Sequence, residues 1–205
     1  MIFTPLELAG AWLIEPELIS DERGAFARMW CCREFQDHGL NPQLVQCNVS
    51  INHRRGTVRG MHFQRDPHAE TKLVRCASGA IHDVIVDLRS ESPTFRRWIG
   101  CDLTSERRAM LYIPAGFAHG FQTLTDNTEV FYQMSQEFHS ASACGVRWDD
   151  PAIAVSWPLT ISVISEKDQS WPDLMSLLRY DESESCRPPH PQIATGIPLQ
   201  SLGSL

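Results

Sequence analysis

From about residue 44 to residue 134 the chain alternates apolar and polar positions with a period of two, and the helical period nearly vanishes. The alternating runs fall at 44–51, 57–64, 72–76, 80–88, 98–103, 109–114, 119–124 and 128–134. Turn residues part them: Ser78 and Gly79, Ser92 and Pro93, Pro114 to Gly116, Asp126 and Asn127. Short strands at such regular spacing predict an antiparallel sandwich or barrel.

The flanks read differently. Residues 1–20 hold short apolar segments, Leu6 to Leu8 and Ala11 to Ile14, broken by prolines and consistent with edge strands. Asp21 and Gly24 around Arg23 predict a turn, followed by an extended run with Phe26, Arg28 and Trp30 on one face. The stretch reads either as a solvated hairpin or as an arm presenting Arg23 and Phe26 to a ligand. Cys32 to Leu40 is the best helix of the N-terminal half, stopped by Gly39. Beyond Gly145 one more short strand is expected over 152–158. A last helix is expected from Trp171, with Pro172 near its start and apolar residues at 171, 174, 175, 177 and 178. Residues 1–180 are thus expected to form a single domain. Residues 181–205, rich in Ser, Glu and Pro, lack a core pattern and are expected to be a flexible tail.

Composition narrows the class without naming a chemistry. The 205 residues are 42 % hydrophobic and 21 % charged, ordinary globular usage that can fill one core. No apolar run reaches the length of a membrane span, and the N-terminus has no secretory pattern, so a cytoplasmic protein is expected. Seven cysteines, an odd number without paired spacing, read as reduced packing residues rather than a disulfide framework or zinc module. A net charge of -7 argues against nucleic acid as a partner, yet leaves room for a small anion held by local arginines.

Strand parity then selects interior side chains. Val58, Gly60, His62 and Gln64 share one face of their run, as do Val130, Tyr132 and Met134 of theirs, so His62 and Tyr132 are both expected to point inward. Asp83 and Asp87 share a face with Ile81 and Ile85, a costly placement for an acid without a partner. Arg59 has the opposite parity to His62 and meets the same pocket only through a bulge at Gly60 or from the strand's mouth.

Taken together, the motifs carry a resemblance. Asp21-x-Arg-Gly-x-Phe26, Gly56-Thr-x-Arg-Gly-x-His-x-Gln64, Lys72-Leu-Val-Arg-Cys76, Ile113-Pro-x-Gly-Phe-Ala-His-Gly-Phe121, Tyr132, Trp148-Asp-Asp-Pro151 and Ser165-Glu-Lys-Asp168 resemble the dTDP-4-dehydrorhamnose 3,5-epimerase family over about residues 3–175. The resemblance implies an all-β, cupin-type jelly roll with a few short helices, a homodimer that exchanges N-terminal strands, and no metal or dissociable cofactor. It implies a dTDP-4-keto-6-deoxyhexose substrate inverted at C3 and C5 through enolates. Such chemistry needs a base, a cation at the carbonyl oxygen and an acid on the opposite face. By positional match His62 is the base, Asp168 its carboxylate partner, Lys72 the enolate stabiliser and Tyr132 the acid. Arg59 and, from the partner subunit, Arg23 match diphosphate clamps; Phe26 and Phe138 match the thymine-stacking positions. Gln46, Asn48, Asp83 and His119 match the pocket lining. This chain departs from the family with Cys47 where an aspartate is usual, Arg28 where an acid is common, and Phe138 where a tyrosine is common.

Three alternatives stay open at this point. An enzyme inverting only C3 or only C5 would use the same groups, and a non-catalytic sugar-nucleotide-binding cupin would keep the pocket alone. A metal-dependent cupin would draw ligands from His62, His68, Glu70 and His119, although Gln64 stands where a second histidine is wanted.

Overall fold

The computed structural model describes residues 1–181. The strands are β1 (Ile2–Pro5), β2 (Trp12–Glu15), β3 (Ile19–Asp21), β4 (Gly24–Phe26), β5 (Gln46–Asn52), β6 (Val58–Gln64), β7 (Lys72–Ser78), β8 (Ala80–Asp87), β9 (Trp98–Thr104), β10 (Met110–Ile113), β11 (Phe117–Thr123), β12 (Thr128–Met134) and β13 (Ala143–Gly145). The helices are α1 (Cys32–Asp37), α2 (Glu166–Gln169) and α3 (Leu174–Asp181). Each of the eight alternating runs has become a strand, β5 to β12, because each offers one apolar face to a shared interior.

Two antiparallel sheets face one another. One has the order β1-β2-β10-β7-β12-β5 and the other β13-β6-β11-β8-β9, while β3 and β4 form a separate hairpin. Between the sheets lies a core with Val74, Leu111, Ile113 and Val130 from the first and Ile81, Ile85, Leu103, Phe117 and Phe121 from the second. The outer face of the five-stranded sheet is covered by Leu174 and Leu177 of α3, packed on Met61, Val84 and Val86. Phe35 of α1 and Leu40 cover part of the other sheet's outer face, against Ile14, Leu73 and Met110. This is the jelly-roll architecture expected of the cupin type.

The buried acids found partners. Asp87 accepts from Arg89, Ser92 and Thr94, and burial, which alone would raise its pKa, is outweighed by those donors, so the carboxyl is held below its ordinary range. Gly39 follows α1 at φ +70°, the left-handed stop that a side chain would disfavour.

Several expectations are corrected. Leu6 to Leu8 lie in the turn between β1 and β2 rather than in a strand, closed by the Leu6 amide on the Ala11 carbonyl. The extended arm ends at Phe26, and Arg28 turns to Glu34 at 2.7 Å. No strand forms over 152–158: the Asp150 carboxylate accepts the Ala152 and Ile153 amides at 2.8 and 3.1 Å, and Ala154 sits at φ +54°, which coils the segment. Helix α3 begins at Leu174, later than Trp171, because the Asp173 carboxylate caps the Ser176 amide at 2.7 Å. Cys76 and Cys144 are buried as expected, whereas Cys32 and Cys47 are exposed. The tail expected over 181–205 lies, from 182 onward, outside the described residues. Among the described residues no helix is long and apolar enough to cross a membrane.

Candidate active site

The strand β6 resolves its own parity conflict. His119 of β11 pairs with His62 while Phe121 pairs with Arg59, so two residues of β6, Gly60 and Met61, stand opposite Gly120 alone. This bulge turns Arg59 and His62 to the same side and sends Met61 to the outer cluster. Only glycine fits there: Gly60 has φ +128°, and a Cβ would lie 2.5 Å from the Gly120 Cα.

Between the two sheets opens a cavity of about 560 Å³. Arg59, His62 and His119 line it from the five-stranded sheet, and Gln46, Asn48, Lys72 and Tyr132 from the six-stranded one. Phe138, 56 % exposed, stands at its margin, where its amide donates to Gln46 Oε1 at 2.9 Å.

His62 Nε2 lies 2.6 Å from Asp168 Oδ1. Asp168 is the third residue of α2, a single turn capped by Ser165, whose hydroxyl accepts the Asp168 amide at 3.1 Å. Its other oxygen accepts the amide of the bulged Gly60 at 3.3 Å. Burial alone would raise the Asp168 pKa, but hydrogen bonds from His62, Gly60 and Ser165 and the charge of His62 outweigh it, so the carboxyl is held below its ordinary range. An ionised carboxylate only accepts, which assigns the proton to Nε2 and leaves Nδ1 as the basic nitrogen. Trp171 packs edge-on against the imidazole, with ring centres 6.2 Å apart.

Lys72 is buried beside this pair. Its ammonium donates to the His62 carbonyl at 3.1 Å and meets Glu70 Oε1 at 3.0 Å. Tyr132 belongs to the opposite sheet from His62. Burial pushes its phenol above the ordinary value, against the opposing pull of the Arg59 charge, so the hydroxyl keeps its proton at neutral pH. A base and a protonated acid thus face the cavity from opposite walls.

Other expected residues stand elsewhere. Asp83 lies behind His119, its carboxylate 3.0 Å from Nε2 and fully buried. Arg23 and Phe26 do not reach the cavity: Phe26 is 72 % exposed, and Arg23 pairs with Asp21. Of the departures from the family pattern, Cys47 is exposed between Gln46 and Asn48 and lines no part of the cavity. The alternative metal ligands are engaged separately. His62, Glu70 and His119 face Asp168, Lys72 and Asp83, while His68 stacks on His139 with ring centres 3.8 Å apart. Among the described residues no three His, Cys, Asp or Glu side chains are grouped to hold an ion.

Sequence reading missed Lys167 and Trp171, which line the cavity with the Lys167 ammonium 5.4 Å from the Trp171 ring centre. Asp168, expected as the carboxylate partner of His62 by resemblance alone, lies in a polar run and is nonetheless buried. The spacing Ser165-x-x-Asp168 is a helix-start pattern that would have suggested an ordered turn.

A jelly roll of two antiparallel sheets, opening on a pocket with a carboxylate-supported histidine, a lysine and a buried tyrosine, defines a cupin-type enzyme built for proton transfer. The sequence model for dTDP-4-dehydrorhamnose 3,5-epimerase matches residues 5–176. The chain belongs to that family, a family of carbohydrate epimerases. It is 44 % identical over 178 residues to the dTDP-4-dehydrorhamnose 3,5-epimerase of Sinorhizobium fredii, covering 86 % of this chain and 91 % of that one. Among solved structures, the Bacillus anthracis enzyme of that name, with TDP and PPi bound, superposes with a TM-score of 0.82 at 40 % identity, over 84 % of this chain and 99 % of that one. A 3'-monoepimerase from Streptomyces bikiniensis in complex with dTDP-quinovose gives 0.81 at 34 % identity, over 87 % and 90 %.

Proposed function

We propose that this chain inverts a dTDP-4-keto-6-deoxyhexose at C3 and C5 without a cofactor, with His62 as base, Lys72 as enolate stabiliser and Tyr132 as acid. The supporting observation is the placement of His62 and Tyr132 on opposing sheets across one cavity. His62 Nδ1 takes the proton from the carbon beside the C4 ketone. The electron pair left behind moves to the carbonyl oxygen, where the Lys72 ammonium stabilises the charge. Tyr132 then gives its proton to the opposite face of that carbon, and inversion follows from the geometry. Asp168 holds the tautomer and offsets the imidazolium charge. Exchange of the His62 and Tyr132 protons with solvent resets the site.

In the same reading Arg59 holds the diphosphate, Phe138 packs near the base, and Gln46, Asn48 and His119 shape the sugar site, with Asp83 behind His119. Exposed Ile19 and Phe26 on the β3–β4 hairpin, and exposed Val49 and Ile51 on the terminal strand β5, support a homodimer with exchanged N-terminal strands. Arg23 and Phe26 would then enter the partner's pocket. We take residues 1–180 as one catalytic domain and the cytoplasm as its location.

A second reading, inversion at one carbon alone, is favoured by the likeness to the 3'-monoepimerase, since the same groups serve either outcome. Incubation with dTDP-4-keto-6-deoxyglucose, followed by NMR of each carbon, separates the two. Inverted product at C3 and C5 is expected, whereas inversion at one carbon selects the second reading.

A further inference from the structure

We infer that Glu70 is a positioning residue that acts through Lys72, fixing the direction of the one ammonium N–H left for the reacting carbonyl. The inference rests on the enolate-stabilising role read for Lys72 above and goes beyond it to the group that aims it.

Glu70 and Lys72 are both more than nine-tenths buried, with side chains 3 % and 9 % exposed, and both border the cavity. Glu70 is the only carboxylate among the cavity-lining side chains of the described residues, in a pocket otherwise furnished with Arg59, Lys72 and Lys167. An acid there disfavours an anionic ligand, so its placement needs another reason. The contact with Lys72 supplies one. An ammonium has three N–H groups in a fixed tetrahedral array. One donates to Glu70 Oε1 at 3.0 Å and one to the His62 carbonyl at 3.1 Å. With two directions taken, the third is determined.

The anchoring is asymmetric. The His62 carbonyl is backbone and rigid, and it ties the lysine to the strand of the base itself. Glu70 is the adjustable partner, attached just before β7, and its second oxygen is buried without a hydrogen-bond partner. A half-satisfied buried carboxylate is costly, and the counter-charge given to the buried ammonium offsets that cost. Taking the anchor away frees a long side chain to sample other rotamers, and misplacing a catalytic group by about 1 Å costs on the order of a hundred-fold in rate.

The test compares Glu70→Ala, the near-isosteric Glu70→Gln, Lys72→Ala and the double variant Glu70→Ala/Lys72→Ala, reading kcat, KM and dTDP affinity. Glu70→Ala is expected to lower kcat roughly ten- to a hundred-fold, with KM and dTDP affinity within about three-fold of wild type. Glu70→Gln keeps an acceptor for Lys72 and is expected to recover kcat to within about five-fold of wild type. In the Lys72→Ala background, removing Glu70 is expected to cost nothing more, because it has nothing left to aim. Full kcat in Glu70→Ala, or additive losses in the double variant, would overturn the inference while leaving the lysine's role intact. Full activity in Lys72→Ala would instead refute the reading on which it rests. Equal loss in Glu70→Gln and Glu70→Ala, with dTDP affinity falling alongside, would show a merely structural acid and would also overturn it.

Discussion

His62 Nε2 and Asp168 Oδ1 stand 2.6 Å apart although 106 residues separate them in the chain. The contact is made by a one-turn helix that packs against β6, and it is completed by the Gly60 amide, which donates to the second carboxylate oxygen. One backbone irregularity therefore turns the base and the Arg59 guanidinium to the same side and also supplies a donor to the carboxylate behind the base.

The pair makes stability depend on pH in a definite direction. Since the folded Asp168 carboxyl is held below its ordinary value of 3.8, its contribution is present above that value and is lost as the pH falls below it. The difference in stability between wild type and Asp168→Asn is expected to shrink as the pH falls below about 4. Denaturant unfolding of both proteins across that range checks it, and a difference unchanged down to about pH 3 would refute it. The same variant is expected to lose activity by roughly a hundred-fold or more, through loss of the correct tautomer.

Gly60→Ala meets both a backbone conformation that disfavours a side chain and the Gly120 Cα at 2.5 Å. A loss of about 2 kcal/mol or more is expected, seen as a Tm lower by roughly 5 °C, with activity falling further because Arg59 and His62 no longer share a face. A variant with unaltered Tm and turnover would show that the bulge does not organise the site.

Arg59 is held by Asn52, with Nε to Oδ1 at 2.7 Å, which steadies the guanidinium for a planar anion. Arg59→Ala is expected to weaken dTDP binding roughly ten- to a hundred-fold. Calorimetric titration with dTDP reads this directly, and unchanged affinity would move the diphosphate elsewhere.

Much of this architecture was legible in the chain because period-two alternation depends only on which face is buried, and β5 to β12 follow it closely. The site was legible where a residue lies in a regular strand, as Tyr132 and Lys72 do. Where one residue breaks the period the reading was only partial: counting by twos set Arg59 against His62 and left a bulge at Gly60 or an approach from the strand's mouth, and the bulge is what forms. Asp150 shows a related blindness. Its carboxylate folds 152–154 into turns that an apolar run of strand-forming residues does not announce. Glu70 drew notice only as a metal ligand, since nothing in a linear sequence tells that its carboxylate would meet Lys72 two residues on rather than solvent.

The central claim is that His62 removes the proton and Tyr132 returns one from the other face. Deuterium uptake at C3 and C5 of dTDP-4-keto-6-deoxyglucose in deuterated water, followed for wild type, His62→Ala and Tyr132→Phe, tests it most directly. Wild type is expected to yield inverted, deuterated product. His62→Ala is expected to lose exchange and inversion together, and Tyr132→Phe to retain exchange while losing inversion, with both variants folded and binding dTDP. Normal inversion by either variant would contradict the account.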